Sequence, residues 1–97
     1  MREPSPDDVT VTLADLERLV RRLRGLTPRA WSAKERSERI RALAEALAVI
    51  GGEGHPLPVV PDHALADVIA VLGYDALAVE GAAPAVRALL LDTLDAL

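Results

Sequence analysis

Two histidines and the acids near them are the residues in this sequence best suited to chemistry. Glu53 and His55 fall in one stretch, and Asp62, His63 and Asp67 follow it. His63 and Asp67 are spaced i,i+4, so a helix would place them on one face. A neutral imidazole beside carboxylates can hold zinc or move a proton. The spacing matches no established ligand motif. His55, His63 and Asp67 are therefore candidate ligands by residue type alone, and no metal or cofactor is expected. Local roles account for the same residues: Asp62 as a helix cap, His63 in a first turn, His55 as loop before Pro56.

The nucleophile inventory is equally short. It consists of Ser5, Ser32, Ser37, four threonines and Tyr74. No serine sits in a Gly-x-Ser-x-Gly elbow. Gly51-Gly52-Glu53-Gly54 lacks the Gly-Lys-Ser/Thr ending of a phosphate loop. With no Cys in the chain, a disulfide scaffold, a thiolate zinc site and a cysteine nucleophile are all excluded. Catalysis is not expected.

Charge offers a second kind of chemistry. Residues 1 to 41 carry 10 basic side chains against 7 acidic ones, and residues 42 to 97 carry 1 against 8. A split this sharp can steer a partner or dock one half on the other. Arg18, Arg21, Arg22, Arg39 and Arg41 lie on two expected helices, 13–24 and 33–50, and could meet phosphate. Against nucleic acid stand a pI near 5.0 and the lack of an aromatic stacking platform. A helix-turn-helix laid on residues 66–85 puts no base-reading side chain on its second helix.

The remaining signal is interfacial. Leu89, Leu90 and Leu91 form a triple, and Leu91 points away from the stripe made by Val86, Leu89, Leu90, Leu94 and Leu97. Such a helix is apolar over more than half its circumference and can touch two things at once. Leu91, Leu94, Leu97 and Arg87 are candidate interface residues. Trp31 joins them as a candidate anchor, its other role being to plug one end of the fold.

Elements must hold these residues in place. The chain has 97 residues, 51% of them apolar, which suits one small domain with a real core. No apolar run approaches the roughly 18 residues needed to span a bilayer. The polar start suggests no signal peptide, and a cytoplasmic location is expected. Residues 1–11 read as an arm, and Val9, Val11 and Leu13 alternate with Thr10 and Thr12 as a short strand would. Thr12 then caps a first helix ending at Gly25. Thr27-Pro28 opens one turn carrying Trp31, and Ser32 caps a second helix to Ile50 with Glu35 at the capping-box position. Residues 51–61 form a stiff Gly/Pro-rich loop, pinned by Leu57, Val59 and Val60. Asp62 caps a third helix, which Gly73 ends or bends. Tyr74 to Glu80 is a further short piece, and Pro84 starts a last helix. The expected fold is all-α: a four-helix bundle-like domain over residues 12–97, of up to six helical pieces. Short links favour antiparallel packing of the first helix on the second, and of the third on the fourth.

Residues 72–80, Leu-Gly-Tyr-Asp-Ala-Leu-Ala-Val-Glu, resemble the Leu-Gly-x-Asp-Ser-Leu-x-x-Val-Glu segment of polyketide acyl carrier proteins, which are small acidic helical bundles. The likeness covers nine residues of 97. The serine that carries the phosphopantetheine arm in that family is Ala76 here, so no arm can attach. That family also needs about two more helices after the motif, and 17 residues follow Glu80. The resemblance implies no carrier function. The sequence instead points to a non-enzymatic protein-binding, adaptor or regulatory module, which could pair with itself.

Overall fold

The computed structural model describes residues 6–52, 57 and 59–97, without the side chains of Pro6 and Asp7. It has α1 (Pro6–Arg24), α2 (Pro28–Trp31), α3 (Lys34–Ile50), a 3-10 turn (Asp62–Ala64) leading into α4 (Leu65–Leu77), and α5 (Ala83–Ala96). No strand occurs among the described residues. The protein is a small all-α bundle, as its apolar periodicity requires.

Several boundaries differ from the sequence reading, each for a local reason. Residues 6–11 are the first turns of α1 rather than part of an arm. A lone strand has no partner for its backbone groups, whereas a helix satisfies them internally. Pro6 suits a first helical position. Thr12 therefore lies inside α1, 1% exposed, and its hydroxyl donates to the Asp8 carbonyl at 2.6 Å. It fills core space and does not cap. Ser32 likewise leaves α3 uncapped and donates to the Arg29 carbonyl at 2.6 Å. Arg36 reaches back from α3 to the Ala30 carbonyl at 2.8 Å, tying the α2 turn down. The Thr27 cap is present: its Oγ1 accepts from the Ala30 N–H at 3.1 Å. Asp62 opens the 3-10 turn and makes no cap bond. Of the loop anchors, Leu57 and Val60 pack on the core, while Val59 is 98% exposed.

The four long helices do not pack in chain order. Both α1 and α3 lie against α4 and α5, and they scarcely touch each other. Around the bundle the order is α1, α4, α3, α5. The expected pairing of α1 with α3 fails because their link contains α2, which is long enough to carry the chain across the diagonal. Trp31, 7% exposed, ends that crossing inside the core. Leu19, Ile40, Leu47, Ile69 and Leu90 are among the residues closing the centre.

Gly73 neither ends nor bends α4; it is a contact point within it. A Cβ added there would lie 2.6 Å from Leu16 Cδ1 and 2.7 Å from Cδ2. Leu16 is itself 1% exposed and has little room to turn. Overpacking of this kind costs about 1–3 kcal/mol. Replacing a helical glycine by alanine gains about 1 kcal/mol. Crowding should win. Gly73→Ala is expected to lower the urea midpoint, and adding Leu16→Val should recover part of the loss. A rise in midpoint for the single variant would show that α1 and α4 are not in close contact here.

Candidate functional site

A groove between α1 and α5 gathers two of the expected interface residues. Asp8, Val11 and Thr12 form one wall, and Pro84, Arg87, Ala88 and Leu91 the other, around about 360 Å³. Leu91 is half-buried: one side packs on the core and the other lines the groove. Val11 is 43% exposed. The small Ala88 and Pro84 leave room for a visiting chain to come close to α5. The groove was only half legible beforehand, because Val11 falls in a segment that reads as an arm.

Its charged edge is built across the two helices. Arg87 Nε donates to Asp15 Oδ2 at 3.2 Å, and Arg18 Nη2 lies 3.7 Å from Asp15 Oδ1. The Asp15 side chain is largely covered, so one carboxylate holds two arginines in place. The other interface candidates lie elsewhere. Leu94 is buried and Leu97 partly buried against the core, because both continue the inner stripe of α5. Trp31 is a core residue, and only its edge reaches the surface.

The five candidate basic residues do not share one face. Arg18 is on the α5 side of α1 through Asp15. Arg21 lines a second groove, between α1 and α4. Arg22 and Arg39 are exposed, on α1 and α3 respectively, and these helices occupy opposite corners. Arg41 is committed to the loop, donating to the Val60 carbonyl at 2.9 Å and to Asp62 Oδ1 at 2.7 Å.

Two of the three candidate ligands lie among the described residues. His63 is exposed. Asp67 accepts from Arg24 at 2.8 Å rather than facing a metal. His55 lies outside the described residues, among which no cluster of three or more metal-binding side chains occurs. Also among the described residues, no helix is long and apolar enough to cross a membrane. Comparisons with protein-family models, curated proteins and solved structures give no match to this chain.

Among the described residues, Asp62 is the acid whose carboxyl is held away from its ordinary value. A hydrogen bond from the Ser37 hydroxyl, then one from Arg41, hold its carboxyl below the ordinary value of 3.8. Both bonds favour the charged form and outweigh the cost of partial burial. The folded carboxylate therefore keeps its charge to lower pH than the unfolded one. Its stabilising contribution is present above the ordinary value and is lost as pH falls below it. Asp62→Asn should lower the melting temperature by a few degrees at neutral pH and by less at an acidic pH below 3.8. An equal loss at both pH values would remove the carboxylate from this account.

Proposed function

We propose that this protein is a non-enzymatic, cytoplasmic protein-binding module of adaptor or regulatory type, and that its partner docks in the α1–α5 groove. The observation that carries this reading is an open apolar slot whose charged edge is already fixed. Val11, Pro84, Ala88 and Leu91 supply apolar surface, and Asp15 holds Arg87 beside it. Burial of such surface drives association at roughly 25 cal/mol per Å² before the costs of binding. An arginine already held in position loses less freedom when a partner arrives. Its charge fixes register and speeds encounter more than it adds affinity. A slot bounded by two helices suits an amphipathic helix laid lengthwise, with small Ala88 beneath its apolar side.

The test is capture of a stoichiometric, nuclease-resistant partner by the tagged protein. Ala88→Arg fills the slot from an exposed position, Leu91→Glu charges its wall, and Arg39→Glu changes a distant charge. Capture should survive Arg39→Glu and fall at least about tenfold with either groove variant, a loss of roughly 1.4 kcal/mol. Circular dichroism should show all three folded. Equal capture by all variants would rule the groove out as the binding surface.

A further inference from the structure

The α1–α5 groove carries charge of opposite sign at its two ends. The helices run antiparallel along it, since Asp15 meets Arg87 while Val11 shares the slot with Leu91. At one end two guanidiniums share the single Asp15 carboxylate, Arg87 at 3.2 Å and Arg18 at 3.7 Å. One positive charge is left over. The Asp15 side chain is 14% exposed, whereas those of Arg18 and Arg87 are 61% and 50% exposed. Arg87 is engaged through Nε, and its Nη1 and Nη2 make no hydrogen bond among the described residues. The surplus charge therefore faces solvent at the edge of the slot.

The other end is acidic. Asp92 follows Ala88 by four residues and Asp95 follows Leu91 by four, so each stands one turn further along the side of α5 that lines the slot. Both are exposed, and neither has an ionic partner among the described residues. Asp8 adds an exposed acid from the α1 wall. The last turn of α5 holds no basic side chain, although the negative end of its dipole favours a cation there. Arg87 and Asp95 are eight residues apart, about 12 Å along the helix at roughly 1.5 Å per residue. The apolar surface of Val11, Ala88 and Leu91 lies between these ends.

We propose that the occupant of this groove is an amphipathic helix with its charges in two blocks. Carboxylates flank its apolar stripe at one end and meet Arg18 and Arg87. Ammonium or guanidinium groups flank the stripe about two turns away and meet Asp92 and Asp95. This rests on the groove reading above and adds the charge order by which the groove selects among amphipathic helices. A helix that is acidic throughout is opposed at the Asp92–Asp95 end, and one that is basic throughout is opposed by the arginine pair. A two-block helix of zero net charge is matched at both ends, so selection comes from order rather than from total charge.

The experiment is fluorescence anisotropy of two labelled synthetic peptides titrated with the full chain. Both have the same composition, the same Leu/Ala stripe and the same hydrocarbon staple to hold them helical. In one, Glu fills one half of the polar flank and Lys the other; in the second, Glu and Lys are interleaved. At about 20 mM salt the block peptide should bind at least about tenfold more tightly, and at about 300 mM the gap should narrow, because exposed charges are screened. Arg18→Gln with Arg87→Gln should remove the preference. So should Asp92→Asn with Asp95→Asn, which disturbs no ion pair among the described residues and so tests charge order without touching the fold. Equal binding of the two peptides by the wild type overturns the proposal, as does binding of neither, or a preference that survives either pair of changes. Failure of the groove itself reads differently: Ala88→Arg would then leave the binding of both peptides unchanged, whereas a groove without charge selectivity would lose both to Ala88→Arg and never distinguish them.

Discussion

The close seating of Leu16 on Gly73 sets the geometry on which the other features depend. It brings α1 hard against α4 at a point where any Cβ would intrude. With α1 drawn in, its other side meets α5, and Arg87 comes within reach of Asp15. The grooves on its two flanks are what remains where the helix surfaces diverge. Alanine serves the same end elsewhere. Ala44, Ala66 and Ala76 are buried at 2% exposure or less, each occupying a place where a larger side chain would hold helices apart. A core with one Trp and no Phe gains little area per residue, so its cohesion rests on close approach.

Part of the uneven distribution of charge along the chain is used within the molecule. Arg24, from the basic first half, pairs with Asp67 from the acidic second half. Arg41 pairs with Asp62, and the lone late arginine, Arg87, pairs with the early Asp15. Each pair joins two segments distant in sequence, and the Arg24–Asp67 and Arg41–Asp62 pairs are exposed enough to contribute modestly to stability. Their more definite effect is on register. Arg41 fastens the far end of the long connection, and Arg87 fixes α5 lengthwise against α1.

Much of the fold was legible in the sequence because apolar spacing survives any error in helix boundaries. The stripes at Leu16, Leu19 and Leu23, at Ile40, Leu43 and Leu47, and at Val86, Leu90 and Leu94 are all buried. Capping was less legible. Thr12, Ser32 and Asp62 have the right side chains for caps, but tertiary neighbours or the preceding turn claimed each of them. Topology was not legible, since link length alone does not say that α2 carries the chain across the bundle. The candidate site was visible in part. Leu91 announced itself by falling off the stripe of its helix, and Arg87 lay beside it. Val11 was hidden in a five-residue alternation that a strand and a helix share. Gly73 looked like punctuation, because nothing local reveals a side chain arriving from 57 positions away.

The diagonal placement of α1 and α3 has a kinetic consequence. In a bundle wound in chain order, each new helix finds a partner in the one just made. Here α1 packs on α4 and α5, and its Asp15 waits for a residue 72 positions later. Loop closure over such distances must precede the contacts that reward it, which slows a helical fold relative to one dominated by local pairs. The first two long helices thus have little to offer each other while the rest is being synthesised. Their apolar stripes stay uncovered until α4 and α5 arrive, so the bundle closes as one cooperative event and no two-helix fragment from its first half forms a core.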